Sequence, residues 1–579
     1  MRKLIKYLGL SVLIFLVWVG WCQFAFGATT YTCDTCENKA GQLDVQDKID
    51  LAIAGDTVSI PAGDCTWDTA LVITVNITLH GAGSDSAGTN ITSDGVTPID
   101  YDPTSPSATD TFELYGMSFD RNDTSVGTYV INADHTSTTV MQQINIHDLI
   151  VTNTYRFIFL RGLYKGVIHN NNVTTTYDLQ QNVGPSDGGL AAWNAIEKCT
   201  GDPLSCTHDD GDNLYFEDNI ISCGDGGMES GGAGFSWVFR YNDITTVRGA
   251  PFFEWHGGCS GADRCSSMDM AIYGNELTAD NSGYLQDRGG MAMIFYNLGT
   301  DTRALYTLNM KNEYTELCGG YCQTTTNSQP QNISDTYAWV NIRSGSNYPG
   351  LLESGDAADE IAENSEYFVQ RAGDFDGSGD SDKGGGCGCG TVGNIPATCT
   401  TGVGYWATDQ SCSSIANYTG KDPTTPISGK LYKCTSTNNW TEYYTPYTYP
   451  HPLTGPRIHN LTTPESYSSG TTTGVLGFST EVPSTCKFST TNQAYADMAA
   501  MSTTGVKTHS QNVAVSDDNP YTRYCKCQDA ENDEDSITIT FTVLSGGGDP
   551  VLGGAVSGNL GKAPESGKMG TNAGEGKMF

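Results

Sequence analysis

FEDNII, residues 216–221, sets an asparagine three places after one apolar side chain and two before another, and the frame recurs along the chain. It returns as IHNNNV at 168–173, FRYNDI at 239–244, IYGNEL at 272–277 and IFYNLG at 294–299. The asparagines are Asn171, Asn219, Asn242, Asn275 and Asn297, separated by 48, 23, 33 and 22 residues. An earlier relative, IHDLIV at 146–151, holds Leu149 in the same register, 22 residues before Asn171. A period near 22 to 24 residues, once doubled and once enlarged by about ten, marks the coils of a solenoid. Asparagine suits a corner between strands because it tolerates a left-handed backbone and can hydrogen-bond along a stack. Its apolar neighbours point into a core that only stacking completes.

Composition agrees with that reading. The 579 residues include 68 glycines, and threonine, serine, asparagine and aspartate are conspicuous, which favours strands and turns over helices. Acids number 66 against 30 lysines and arginines. Such a balance argues against nucleic acid as a partner and against an unaided polyuronate, unless bound cations bridge the charges. At the N-terminus, Arg2, Lys3 and Lys6 precede an apolar run from Leu8 to Val19 and a small-x-small site at Ala25-Phe26-Gly27. Residues 1–27 therefore read as a signal peptide, which predicts a secreted or cell-surface protein with no transmembrane helix in the mature chain. Of 19 cysteines, Cys22 lies in that leader. The others include close neighbours: Cys33/Cys36, Cys199/Cys206, Cys259/Cys265, Cys318/Cys322, Cys387/Cys389 and Cys525/Cys527. In an exported chain these predict disulfide staples on loops; the nine histidines do not sit beside them at zinc-ligand spacing.

DVQDKIDLAIAGDTVSIPAGDCTW, residues 44–67, resembles the opening of pectate-lyase-like right-handed parallel β-helix proteins. Asp44–Ala54 has helical spacing, with Val45, Ile49, Ala52 and Ile53 on one apolar face, and Gly55-Asp56 stops it before a strand at Thr57–Ile60. ITLHGAG, residues 77–83, is similar to the next coil of that family. The resemblance covers residues 31–372 and implies a capping helix, a β-helix over residues 28–372 and a polysaccharide partner. It does not imply one reaction, because the fold carries lyases, hydrolases, esterases, epimerases and non-enzymatic adhesins.

Residues 373–453 form a Gly/Asp-rich loop and an aromatic region expected to cap the last coils. Within the loop, Asp374, Asp376, Ser378, Asp380 and Asp382 alternate as calcium ligands would, without the closing glutamate. Residues 454–544 read as short alternating strands and resemble a fibronectin-type-III or immunoglobulin-like sandwich, with Cys486 placed to pair with Cys525 or Cys527. The tail, residues 545–579, is Gly-rich and reads as disordered. The fold class is thus all-β: a right-handed parallel β-helix followed by a small β-sandwich.

Candidate chemistry lies in three stretches. THDDGDNLYFEDN, residues 207–219, puts Asp209, Asp210 and Asp212 at a loop mouth, as a calcium site or, for Asp210, an acid/base group. Glu217 to Asn219 read as part of the coil. FFEWHGGCSGADRC, residues 252–265, offers Glu254, His256 and Arg264 for catalysis and Trp255 to stack on a sugar. QDRGG, residues 286–290, offers Arg288 for catalysis and Asp287 for substrate binding. Equivalent positions on neighbouring coils lie about 4.8 Å apart, so Asp210, Glu254, His256 and Arg288 are expected to converge on one groove. The arginine motif of pectate lyases and the paired aspartates of polygalacturonases are absent, which leaves two classes: a lyase or hydrolase, and a non-catalytic adhesin.

Overall fold

The computed structural model describes residues 28–544, except 94, 124–128, 135–140, 163, 177–179, 184–207, 225–227, 231–235, 247–250, 257–268, 280–283, 301–306, 312–322, 325–326, 329–332, 344–349, 355–360, 456–457, 460–462, 465, 492, 494, 504, 517–518 and 529–533. Among the described residues, three parallel sheets of 12, 10 and 10 strands each take one strand per coil. Thr57–Ser59 joins the first sheet, Gly63–Trp67 the second and Leu71–Ile73 the third; Thr78–His80 then returns beside Thr57–Ser59. This is a parallel β-helix. Its interior is a stack of apolar rows, such as Leu79, Leu114, Ile146, Ile168 and Phe216, which stand in register and are buried.

The capping helix spans Asp44–Ile49 and buries Val45 and Ile49, with Ala52 buried just beyond it. Ile53, expected on the same face, is 58% exposed. The helix stops early because the Asp56 carboxylate accepts the Ile53 N–H at 2.9 Å and the Thr29 N–H at 2.7 Å, drawing the chain into the first coil.

The asparagine corners lie between the first and second sheets and form one buried ladder. The amide oxygens of Asn171, Asn219, Asn242, Asn275 and Asn297 accept the backbone N–H of Leu149, Asn171, Asn219, Asn242 and Asn275 in turn, at 3.0 to 3.3 Å. A sixth rung, Asn341, accepts from Asn297 at 3.2 Å. The left-handed conformation falls on the residue before each corner position, Leu149 included: Asp148, Asn170, Asp218, Tyr241, Gly274, Tyr296 and Val340 all have φ between 51° and 69°. The asparagine supplies the ladder, and its predecessor supplies the bend.

Residues 373–453 do more than cap the end. Cys387–Gly390, Gly404–Ala407, Lys430–Ser436 and Asn439–Tyr444 make a four-stranded sheet, and the segment to Leu453 runs back along the outer face of the first sheet. It reaches Asn145, whose side chain donates to the Leu453 carbonyl at 2.9 Å. A second core forms beneath it, where Tyr215, Val238, Met293 and Tyr337 meet Trp406, Leu431 and Tyr444. We call this region the strap.

Disulfides join Cys36 to Cys65, Cys389 to Cys412, Cys399 to Cys434 and Cys486 to Cys527. Among the described residues, none links close neighbours such as Cys33/Cys36, Cys387/Cys389 or Cys525/Cys527. Residues two apart on a strand, such as Cys387/Cys389 and Cys525/Cys527, share a face but sit about 7 Å apart, beyond the usual reach of the bond. Cys33, Cys387 and Cys525 stay as buried thiols, and burial pushes Cys33 and Cys525 up to about 12. Cys199, Cys206, Cys259, Cys265, Cys318 and Cys322 lie outside the described residues.

The last domain is built of antiparallel strands around Thr473–Ser489, which pairs with Val506–Ala514 along its first half and with Asn519–Gln528 along its second. Leu476, Phe478, Ile539 and Phe541 fill its core. Residues 1–27, read as a signal peptide, and residues 545–579, read as a disordered tail, lie outside the described residues.

Candidate functional site

The loop at 208–213 turns its acids to separate tasks. Asp209 is buried, with φ of 50°, and its carboxylate accepts four hydrogen bonds. Tyr215 Oη donates at 2.7 Å, Tyr273 Oη at 2.9 Å, Tyr444 Oη at 3.0 Å and the Tyr447 N–H at 3.0 Å. Burial, reinforced by Asp209, holds the Tyr215 and Tyr444 phenols well above their usual range, so they remain donors. Gly211 (φ 89°) makes a turn that closes the Asp212 N–H onto Asp210 Oδ1 at 3.1 Å, so the two acids do not lie along an extended strand. A Cβ at Gly211 would come within 2.7 Å of the Tyr447 ring. Asp212 faces Lys165 at 3.1 Å.

Asp209, Asp210 and Asp212 therefore do not converge as calcium ligands. Among the described residues, no group of three or more His, Cys, Asp or Glu side chains stands at metal-holding spacing. In the 374–382 loop, Asp376 Oδ1 accepts the Ser378 N–H at 2.9 Å and Asp380 Oδ1 the Asp382 N–H at 3.0 Å, so these oxygens close turns.

Glu217 and Asp218, at the corner, fasten the strap. Glu217 and Arg240 form a buried pair at 2.7 Å. Arg240 also donates to the Tyr447 and Thr448 carbonyls at 2.9 and 2.8 Å, and Glu217 accepts the His451 N–H at 2.8 Å. Asp218 accepts from Tyr449 Oη at 2.9 Å. Read in the sequence as part of the coil, these charges also serve as joints between the coil and the strap.

The second and third stretches meet on the third sheet. Pro251–His256 pairs in parallel with Tyr284–Arg288, which matches Glu254 to Gln286, Trp255 to Asp287 and His256 to Arg288. Strand alternation then sorts them. Glu254 and Arg288 lie on the outer face and are bonded to each other, and Gln286 donates to the same Glu254 oxygen. Asn309 extends the row from the following coil, donating to Gln286 at 2.9 Å. The preceding coil places Glu229 in register with Glu254. His256 takes the register position beside Arg288.

Trp255 and Asp287 take the opposite face. Trp255 is fully buried in the interior, so it has no ring face open to a sugar. Asp287 is buried as well, accepting from Thr336 Oγ1 at 2.9 Å and the Gly289 N–H at 3.1 Å. Burial pushes its carboxyl up to about 7, and it serves the core rather than a substrate.

Of the four residues expected in one groove, Glu254, His256 and Arg288 share the third sheet, while Asp210 lies in the turn that enters a first-sheet strand, next to Gly211, which stands against Tyr447 of the strap. Arg264 lies outside the described residues. Sequence reading missed Gln286, Asn309 and Glu229, whose signal is the two-residue alternation of strands closing each coil.

These features place the molecule in the class of parallel β-helix solenoids, with a lateral strap and an antiparallel sheet domain. Comparison with protein-family models, with curated proteins and with solved structures finds no match for the chain.

Proposed function

We propose that this is an extracellular β-helix protein that engages polysaccharide on the outer face of its third sheet. The observation that carries the reading is the meeting of Glu254 and Arg288, 34 residues apart in sequence, on one strand pair with Gln286 and Asn309 in the same row. The row sets the partly exposed carboxylate and guanidinium beside the buried amides of Gln286 and Asn309, so Glu254 and Arg288 are the acceptor and donor it offers to sugar hydroxyls. The guanidinium, which carries donors and no acceptor, is a binding group and not a base. An extracellular setting is supported by four disulfides among the described residues and by the signal-like N-terminal sequence. Among the described residues no helix is long and apolar enough to cross a membrane.

A second reading, glycoside hydrolysis, is favoured by one observation: Glu229 takes the register position beside Glu254 on the neighbouring coil, and glycosidases work with paired carboxylates. The test incubates the chain from Ala28 onward with neutral and acidic polysaccharides and follows retention, reducing ends and unsaturated-uronate absorbance. Retention that Arg288→Gln abolishes supports engagement at this face. New reducing ends lost in both Glu229→Gln and Glu254→Gln establish hydrolysis, and no retention on any substrate removes the proposal.

A further inference from the structure

The outer row of the second sheet repeats one chemistry from coil to coil. Thr66 pairs with Thr92, Thr92 with Asp120 and Asp120 with Thr152. Val151 and Val173 remain in register, which sets Thr174 next; Thr174 then pairs with Ser222, Ser222 with Thr245 and Thr245 with Thr278. Thr300 continues one coil further, its hydroxyl 2.6 Å from that of Thr278. Apart from Asp120, every coil in this run presents one short hydroxyl, at the roughly 4.8 Å spacing of paired strands.

The preference of threonine for strands does not explain this row, because it would act on all three sheets alike. The outer row of the first sheet runs His80, Tyr115, His147, His169, Glu217, Arg240, and that of the third runs Asp100, Asn132, Phe159, Gln181, Glu229, Glu254. Neither repeats. Those rows also use their polar groups and rings on one another: His80 stacks on Tyr115, and Asn132 donates to Asp100 at 2.7 Å. In the second sheet, among the described residues, the hydroxyls of Thr66, Thr92, Thr152, Thr174, Ser222 and Thr245 have no protein hydrogen-bond partner, and every one of these residues is exposed or half-exposed.

We propose that this rank binds an extended neutral polysaccharide laid along the solenoid axis. Sugar hydroxyls exchange hydrogen bonds with the row, and sugar C–H faces rest on the threonine methyls. A polymer is favoured because a single hydroxyl contact is weak in water, so the contacts accumulate only for a ligand that repeats as the coils do. A neutral chain is favoured because the row holds Asp120 and no basic residue, in a molecule with 66 acids against 30 bases. The proposal shares its ligand class with the Glu254–Arg288 reading but none of its residues.

The test uses the chain from Ala28 to Phe579 and measures depletion from solution by cellulose, xylan, mannan and starch. Thr92→Val/Thr174→Val/Thr245→Val keeps the β-branched shape and removes three hydroxyls, and is expected to weaken binding about tenfold or more. The matching triple serine variant, which keeps the hydroxyls, is expected to bind as the parent does. Equal binding by the valine variant overturns the proposal even if Arg288→Gln abolishes binding, since the third sheet then acts alone. Failure of the parent to bind any neutral polysaccharide overturns it too. So does thermal hysteresis in the parent that the valine variant loses, which assigns the rank to an ice surface instead.

Discussion

Asn242 accepts the backbone and side-chain N–H groups of Asn219 through one oxygen and donates to Phe216, Arg240 and Asn275. Replacing it with alanine orphans buried donors and acceptors on three coils, and we expect a loss of roughly 2–4 kcal/mol, read from the urea midpoint. Asp287 makes an opposite kind of prediction. Its carboxyl is raised in the folded chain from the ordinary 3.8 to about 7. The stability tied to its neutral form is full below pH 4 and is lost as pH rises through 7, a swing of about 4 kcal/mol. Asp287→Asn should flatten the stability profile between pH 4 and 7; a variant with the parent's pH dependence contradicts this. At this scale the asparagines were legible because they repeat in sequence. The fate of Asp209 was not, because its four donors come from residues as distant as Tyr447, and no local pattern marks a carboxylate that a remote segment will bury.

The strap is the element that sequence reading placed least well. Its aromatic residues were visible, but whether they would cap the last coils or run back along a sheet depends on Tyr215, Tyr273 and Tyr337 facing outward, which only the register fixes. The coils themselves were read correctly from their period, since each one repeats the same local instruction. The Glu217–Arg240 pair ties strap to sheet in a fully buried setting. Glu217→Ala strands the guanidinium and should cost roughly 3–5 kcal/mol by denaturant titration, while Glu217→Leu/Arg240→Met removes both charges and should recover most of that loss. The strap's end carries a second proton-linked group: burial, Arg240 and Lys165 lower His451 to about 3. Its neutral form supports folding above pH 6.5, and that stability drains as pH falls toward 3. His451→Gln is expected to lessen acid sensitivity, measured as the unfolding midpoint at pH 4 against pH 7.

Across the whole molecule, three outer faces built on one backbone geometry carry three different surfaces. The first is largely occupied by the strap, the second shows a rank of short hydroxyls, and the third gathers Glu254, Gln286, Arg288 and Asn309. Sequence periodicity revealed the solenoid because every coil obeys it. It could not assign faces, because a one-residue change of register exchanges inside for outside, as the inward turn of Trp255 and Asp287 shows. The central claim is that the third face engages polysaccharide through Glu254 and Arg288. Its most direct test is affinity electrophoresis of the chain from Ala28 through gels containing individual polysaccharides, comparing the parent with Arg288→Gln. The account predicts that at least one polysaccharide retards the parent and that Arg288→Gln, folded by circular dichroism, migrates substantially faster in that gel. Equal migration of the two proteins in every polysaccharide gel would contradict it.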